Sequence, residues 1–336
     1  MSMRRTGIAG RGVRDARGFS LIELMSVMVS MGVIMAVSVA VFKHSTQAGI
    51  RLESNNNLKN FSQQSINALK EELTQSRVLY QNDTYGNALW ARIQFGTTHP
   101  PMSTALLPTI QETGSLSPSE ASDPTTPFSA ASVGNAVFLL QLAGYVEAGD
   151  RWIDLYRPRI YYLSKTTELD ISKKGWAMDL VEWEGKLYAD YSQVVSSPAA
   201  TYSDLVAQGI TEAWNALGTS VGSTIYTVNS NGTVTTQASP TIQPRSVHSA
   251  THLFGSRGGS KYAVAFNRGP GFAINDSVPA FATASTSGDG FPHGFEVMIV
   301  GPTGGRRILA RLVMVAEGYG GRYTLPITVL AEAKNY

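Results

Sequence analysis

One carboxylate, Glu23, stands inside a run of 24 otherwise uncharged and largely apolar residues, Phe19–Phe42. An ionised carboxylate in a hydrocarbon environment is costly unless a cation pairs with it. Glu23 is therefore suited to electrostatic pairing. Its carboxylate can bind an amine or another cation at the point where the helix passes from water into an apolar environment. The apolar run must be explained together with the charge that it contains.

Patterns that would indicate catalysis or metal binding are weaker. His248 and His252 have the spacing of metal ligands on a helix, but no acidic residue lies between them and no helix is predicted there. We expect a solvent-facing loop instead. The carboxylates Asp179, Glu182 and Glu184 cluster in sequence, yet alternate positions of a strand face water routinely. We therefore predict that the protein is not an enzyme and has no cofactor and no metal site.

The composition excludes several classes of site. The chain of 336 residues has no cysteine, which rules out disulfides, cysteine-based zinc sites and thiol catalysis. Its formal net charge is +2, but residues 1–18 hold five arginines against one aspartate. The remainder of the chain is therefore slightly acidic, and the overall charge does not favour a nucleic-acid partner.

The run Phe19–Phe42 is long enough to cross a membrane, since about 20 helical residues span a bilayer. Five arginines precede it and one lysine, Lys43, follows it directly, so the positive-inside rule predicts a cytoplasmic N-terminus. An ordinary secretory signal has a shorter apolar core and no internal carboxylate. A plain signal anchor fits the length but does not explain Glu23.

The residues around Glu23 suggest a third interpretation. The segment Arg17-Gly18-Phe19-Ser20-Leu21-Ile22-Glu23-Leu24-Met25 closely resembles the prepilin signal of type IV pilin-like proteins. Glycine, aromatic residue and glutamate stand at the family's offsets before an uninterrupted apolar helix, and Gly32 falls where many pilins have glycine. The chain departs from many major pilins at Ala40, where they carry a proline. That departure favours a minor pilin or a pseudopilin.

The resemblance implies two events at the membrane. A prepilin peptidase would remove the leader, residues 1–18, by cutting after Gly18, and Phe19 would become a methylated N-terminus. In this family the glutamate, here Glu23, is thought to meet the N-terminal amine of a neighbouring subunit during assembly. The alternative is local, with Glu23 facing the amine of its own chain near the lipid headgroups.

The implied function is that of a structural subunit. The chain resembles PilW-like minor pilins, which help to initiate or cap a type IV pilus, and the alternative is a pseudopilin of a type II secretion system. The expected partners are other pilin or pseudopilin subunits, the prepilin peptidase, an inner-membrane assembly platform and, before assembly, membrane lipid. The expected location is a single span of the inner membrane with the head outside the cytoplasm, and then the pilus or pseudopilus.

Two functions of other classes compete with this interpretation. A membrane-tethered enzyme would need polar residues that converge in a deep pocket. An adhesin that binds DNA or a surface would need a contiguous basic face, for which the C-terminal arginines are candidates: Arg306, Arg307, Arg311 and Arg322.

The elements that must position Glu23 follow from periodicity. Proline is absent between Phe19 and His99, so the helix is predicted to continue beyond the membrane-spanning and assembly segment, 19–42. The segment 43–80 is predicted to be an amphipathic helix, in which Gly49 and Ser54–Asn57 indicate a bend or the start of a second helix. Its apolar stripe lies within about 140° of arc and would pack on the sheet of the same chain: Leu58, Phe61, Ile66, Leu69 and Leu73.

The remaining segment, 81–336, is predicted to form a β-rich head. An insertion near 97–132 holds six of the fifteen prolines and is predicted to be irregular. One helix is predicted at 203–217. Strands are predicted at Val137–Leu142, Trp152–Leu163, Trp176–Tyr191 and Tyr323–Leu330, and in two hairpins, Ile225–Val228 with Thr233–Thr236 and Phe295–Val300 with Ile308–Ala316. The predicted fold class is α+β, with a long N-terminal helix packed on an antiparallel sheet and large loop insertions.

Overall fold

A computed structural model describes residues 20–95, 106–111, 134–164, 177–215, 224–245, 250–254, 262–265, 294–301, 307–318 and 321–332. The chain divides into two compact units, Met1–Leu52 and Glu53–Tyr336, called here the N-terminal unit and the C-terminal unit. One long helix, α1 (Leu21–Gln75), contributes residues to both.

The N-terminal unit exposes the apolar part of α1. The large apolar side chains between Leu21 and Phe42 are 48–80% exposed, and the most apolar window of the helix has a mean hydropathy of 2.3 with none of it buried. At 1.5 Å per residue, Leu21–Phe42 is about 33 Å long, close to the roughly 30 Å of a bilayer's hydrocarbon core. By length and composition this helix can cross a membrane.

The helix α1 is continuous through Gly49 and Ser54–Asn57, so no second helix begins there. It ends at Gln75 rather than near residue 80, because the next five residues, Ser76–Tyr80, form strand β1. The Ser76 hydroxyl donates a 2.7 Å hydrogen bond to the carbonyl oxygen of Leu73. That bond satisfies one of the carbonyl groups that every helix end leaves open.

The C-terminal unit is built on a 14-stranded sheet in which most neighbours are antiparallel. Together with α1 this is an α+β arrangement. Three short helices complete the described elements: α2 (Thr84–Trp90), α3 (Tyr191–Val195) and α4 (Ala199–Ala207). The strands after β1 are β2 (Thr109–Gln111), β3 (Ala136–Ala148), β4 (Arg151–Ser164), β5 (Ala177–Glu184), β6 (Tyr188–Asp190), β7 (Glu212–Trp214), β8 (Ile225–Asn229), β9 (Thr233–Thr236), β10 (Ala250–Phe254), β11 (Tyr262–Ala265), β12 (Phe295–Val300), β13 (Arg307–Gly318) and β14 (Gly321–Glu332).

The sheet is organised around the long hairpin of β3 and β4. Strand β3 also pairs with β1, while the other edge of β4 is shared by β5 and β6. From β5 the sheet continues through β11 to β13, which lies between β14 on one edge and β11 and β12 on the other. From β6 it continues through β7 to β8 and β9. Strand β2 pairs with β12. Among the described strand pairs, only β6–β7 and β2–β12 are parallel.

The predicted hairpins are confirmed. Strands β8 and β9 pair from Asn229 opposite Thr233, and β12 pairs with β13 from Phe295 opposite Leu312 to Val300 opposite Arg307. The predicted closing strand is confirmed as β14, which pairs with β13 along its whole length. Runs of apolar and β-branched residues with turn residues between them are sufficient for these predictions, because hairpin partners are neighbours in sequence.

The predicted strand Trp176–Tyr191 is divided into two. Strand β5 ends at Glu184, and β6 resumes at Tyr188. Between them, the Gly185 amide donates to the Pro158 carbonyl oxygen at 2.8 Å. A Cβ atom at Gly185 would lie 2.3 Å from Cγ of Pro158, so only glycine allows this close approach.

The helix predicted at 203–217 is present, but both of its predicted boundaries are wrong. Helix α4 spans Ala199–Ala207 after Pro198, and Gly209 ends it with a φ of +82°, a conformation that glycine adopts readily. Residues predicted to continue the helix instead form β7, where Trp214 is fully buried. Pairing of β7 with β6 and β8 outweighs the local helical pattern.

The core has one large cluster on the α1 side of the sheet. The predicted stripe is confirmed, since Leu58, Ile66, Leu69 and Leu73 are at most 3% exposed and Phe61 is half-buried beside them. Ser62 is also buried within the stripe. The stripe packs with alternate residues of the sheet, among them Val137, Leu139, Tyr161, Leu163, Leu180, Val297 and Leu312.

The opposite face of the sheet holds a second cluster, in which aromatic rings dominate. Trp183, Trp214 and Phe138 are fully buried there, together with Leu89 of α2. Within the predicted insertion near 97–132 the structure describes 106–111. That segment buries Leu107 and adds β2 to the edge of β12.

We predict that Leu73→Ala destabilises the C-terminal unit by about 2–5 kcal/mol, because the change removes a fully buried side chain and leaves a cavity. The matched control is Leu52→Ala on the same helix, where the side chain is 64% exposed. Urea denaturation of the detergent-solubilised protein, followed by near-ultraviolet circular dichroism, measures both. Equal effects of the two substitutions would show that the stripe is not part of the core.

Candidate assembly site

The first turn of α1 contains a reciprocal pair of hydrogen bonds between Ser20 and Glu23. The Ser20 amide donates to Oε2 of Glu23 at 3.0 Å, and the Glu23 amide donates to Oγ of Ser20 at 3.3 Å. The Leu24 amide closes the turn on the carbonyl oxygen of Ser20 at 3.1 Å. This arrangement is a capping box, in which a serine and a glutamate three residues later satisfy open amides at a helix start.

The capping box fixes where the Glu23 carboxylate lies. It is held at the N-terminal end of the helix, where the helix dipole favours negative charge. Both Ser20 and Glu23 are exposed, so the carboxylate is accessible to a cation from outside its own turn. Gly18 and Phe19, the predicted processing residues, lie outside the described part of the chain.

A charged cluster lies where the last turns of α1 meet the sheet. Nη1 of Arg159 on β4 lies 3.1 Å from Oε1 of Glu72 on the helix and also contacts Oε1 of Glu182. Nη2 of Arg159 lies 3.0 Å from Oε1 of Glu184 on β5. One arginine therefore bridges a helix carboxylate and two strand carboxylates.

Further contacts complete the cluster. Arg245 and Arg157 lie 3.0 Å and 3.8 Å from Oε2 of Glu184, and the Tyr161 hydroxyl donates to Oε1 of Glu182 at 3.3 Å. Burial raises the pKa of Glu182 above its usual value, although the adjacent Arg159 offsets part of this effect. Burial of the Tyr161 side chain raises its pKa, and the adjacent carboxylate of Glu182 raises it further. Three carboxylates and three guanidinium groups thus balance each other at the junction of α1 and the sheet.

The carboxylate trio singled out in the sequence is split by the sheet. Glu182 and Glu184 belong to the charged cluster on the α1 side, whereas Asp179 is fully buried and, by strand alternation, lies on the opposite side. The expectation that these carboxylates face water is therefore wrong for Asp179, and Glu182 and Glu184 are only partly exposed. The trio does not converge on one site.

The contiguous basic face that the alternative adhesin function would need is interrupted at Arg311. Its side chain is fully buried and lies 3.4 Å from the equally buried carboxylate of Glu296, its cross-strand neighbour on β12. Arg307 is exposed. Arg306 lies outside the described residues, and Arg322 is described only as part of the backbone of β14. The described arginines of this hairpin therefore do not share one solvent-facing surface.

The histidines give no metal centre in the part of the chain that the structure describes. His44 is exposed on α1, and His252 lies in strand β10, so the loop expected around it is wrong at this residue. His248 falls outside the described residues. Within those residues, no group of three histidine, cysteine, aspartate or glutamate side chains is placed to hold a metal ion.

Two features of the site were readable in the sequence but were missed. Serine followed three residues later by glutamate, at the start of an apolar run, is the signature of a capping box. Glu296 and Arg311 occupy opposing positions of a hairpin that was itself predicted. The role of Arg159 had no local signal, because its partners Glu72 and Glu182 are distant in sequence.

Comparisons with known proteins do not assign this site. No family model matches the sequence, and no curated protein or solved structure matches the chain.

We predict that Arg159→Met destabilises the C-terminal unit by about 2–4 kcal/mol, because it leaves Glu72 and Glu182 without their shared cation in a partly buried place. The matched control is Arg245→Met, whose side chain is 57% exposed and pairs with the same cluster, so that it costs less than about 1 kcal/mol. Urea denaturation measures both free energies of unfolding.

Adding Glu182→Gln to Arg159→Met should recover part of the loss, since it removes one of the uncompensated charges. A double variant that is less stable than Arg159→Met alone would contradict the electrostatic explanation and would indicate lost packing instead.

Proposed function

We propose that this protein is a structural subunit of a type IV pilus-like assembly, made as a precursor and cleaved between Gly18 and Phe19. The observation that carries the proposal is the start of α1: one carboxylate, held by a capping box at the entrance to an apolar helix that is exposed on every side. The motif Gly18-Phe19-Ser20-Leu21-Ile22-Glu23 adds the resemblance to a prepilin signal.

The electrostatics give Glu23 its role. Before assembly the carboxylate lies near the headgroups and accepts a hydrogen bond from Ser20. When the helix leaves lipid to pack among other helices, the carboxylate enters a medium of low dielectric constant, where an unpaired charge is expensive. The amine that cleavage creates at Phe19 of a neighbouring subunit is a cation of the right size and position to pair with it. This pairing sets the axial register between subunits.

Within this class we favour a minor pilin that initiates or caps a pilus. The continuous helix through Ala40 and the large C-terminal unit support a low-copy subunit over a repeating one. The second candidate is a type II secretion pseudopilin, which uses the same signal and the same pairing. Co-purification with either pilus subunits or secretion-machine subunits from the native membrane separates the two.

The same proposal places the protein in the inner membrane before assembly. Five arginines on the leader keep the N-terminus in the cytoplasm, and the C-terminal unit then lies on the other side. The prepilin peptidase, an assembly platform and other subunits are its partners. An adhesin with a basic C-terminal face is less well supported, because Arg311 is buried against Glu296.

We predict that the mature protein begins at Phe19 with a methylated amine. The resemblance of residues 17–25 to a prepilin signal is the reason, and intact-mass and N-terminal peptide mass spectrometry of the membrane form is the measurement. Gly18→Ala should leave the uncut precursor in the membrane. A mature N-terminus near residues 40–45 would show cleavage by ordinary signal peptidase and would end the proposal.

We predict that the charge of Glu23, and not its hydrogen bond, is required for assembly. Glu23→Gln retains an acceptor for the Ser20 amide but loses the charge, whereas Ser20→Ala keeps the charge and loses only one hydrogen bond of the capping box. Glu23→Gln and Glu23→Ala should be cleaved and inserted normally but should be at least about tenfold depleted in sheared filaments.

Ser20→Ala is the matched control and should be incorporated at nearly the normal level. Quantitative immunoblots of membrane and filament fractions measure the ratio for each variant. Normal incorporation of Glu23→Gln would show that the side chain is only a helix cap.

A further inference from the structure

We propose that the end of the β3–β4 hairpin is a docking surface for an arginine or lysine side chain presented by a partner polypeptide. The surface, called here the aromatic–acidic patch, consists of Tyr145 and Glu147 on β3 with Trp152 and Asp154 on β4. It lies outside the helix that the proposed function uses, and it does not depend on that function.

The register of the hairpin brings these four side chains to one face. Tyr145 is opposite Asp154, and Glu147 is opposite Trp152. Residues two apart on a strand share a face, and side chains directly opposite in an antiparallel pair have Cβ atoms about 4.5–5.5 Å apart. The two aromatic residues therefore occupy one diagonal of a small rectangle and the two carboxylates occupy the other.

The aromatic residues are unusually open to solvent. Tyr145 is 67% exposed and Trp152 is 60% exposed, although the two rings contact each other edge to face with centroids 5.2 Å apart. The remaining aromatic faces can receive a further group. A ring face attracts cations because of its quadrupole, and tryptophan does so most strongly.

The carboxylates give the patch its sign. Glu147 and Asp154 form no ion pair with any residue in the described part of the chain. Of the two arginines nearest in sequence, Arg151 donates to the Ser196 carbonyl oxygen at 2.9 Å, and Arg157 lies beside Glu184. Two negative groups beside two ring faces complement a guanidinium or an ammonium group, which can contact both at once. An anionic partner would be repelled by the carboxylates, and a neutral partner would lack the charge attraction.

The patch is backed by a rigid support. The other face of the hairpin end, including Ala148, Ile153 and Leu155, is buried against α3 and α4. Polar bonds fix the same end: the Gly149 amide donates to Oδ2 of Asp204 at 2.8 Å, and the Asp154 amide donates to Oε1 of Gln193 at 2.7 Å. A surface held in place from behind loses little entropy when a partner binds.

The test uses the full-length protein labelled with 5-fluorotryptophan in dodecylmaltoside and followed by fluorine nuclear magnetic resonance. The Trp152 resonance is assigned with Trp152→Phe. The probe is the peptide acetyl-Gly-Arg-Gly-Arg-Gly-amide, and the matched control replaces each arginine by citrulline, which has nearly the same shape and no charge. We expect the arginine peptide to shift the Trp152 resonance in a saturable way that weakens in high salt.

Variants test each part of the patch. Tyr145→Leu should weaken binding about two- to fivefold, and the double variant Glu147→Gln/Asp154→Asn should weaken it about three- to tenfold. Tyr85→Leu, which changes another exposed aromatic residue at 50% exposure, should leave the affinity unchanged. Of the substituted residues, Tyr85, Tyr145 and Glu147 are exposed and Asp154 is half-buried. Circular dichroism checks that each variant folds.

Several outcomes would overturn the proposal. These are no shift with the arginine peptide, an equal shift with the citrulline peptide, or unchanged binding in the double carboxylate variant. A shift caused by chitohexaose and not by the arginine peptide would also overturn it, and would identify the aromatic pair as a carbohydrate-binding surface.

Discussion

The burial of one stripe of α1 against the sheet is the interaction on which the rest of the structure depends. Leu58, Ile66, Leu69 and Leu73 lie almost completely out of water among alternate residues of the central strands. Each such side chain contributes roughly 1.5–3 kcal/mol by leaving water, so the four together are comparable to the net stability of a typical domain. With no cysteine in the chain, this contribution is not supplemented by disulfides.

The same helix meets two different environments along its length. Its first 22 residues have large apolar side chains on all sides and a single carboxylate at the start, whereas its last turns have a buried stripe and a charged rim centred on Arg159. Within the C-terminal unit, the stripe holds the last turns of the helix on the sheet by apolar burial, and Arg159 adds ion pairs.

The sequence was sufficient where the determining contacts are local or strongly periodic. The stripe follows from a period of 3.6 residues, and the hairpin of β12 and β13 follows from two largely apolar runs on either side of the turn residues Gly301–Gly305. It was insufficient where distant partners decide. Residues 212–214 look helical but pair with β6, Arg311 looks exposed but meets Glu296, and Arg159 gains its role from a helix residue 87 positions away. The capping box at Ser20 and Glu23 was readable from its spacing and was overlooked beside the resemblance to the prepilin signal.

The division of α1 into an exposed apolar part and a core-forming part is tested most directly by a single-cysteine spin-label scan. The native chain has no cysteine, so each label reports one position in the full-length protein reconstituted in lipid nanodiscs. Labels between Leu24 and Phe42 should be accessible to oxygen on every side of the helix. Labels between Leu58 and Leu73 should show a period of about 3.6 residues, with the stripe inaccessible to both oxygen and a water-soluble nickel reagent. A periodic, protected profile before Phe42, or a uniformly accessible one after Leu58, would contradict the account.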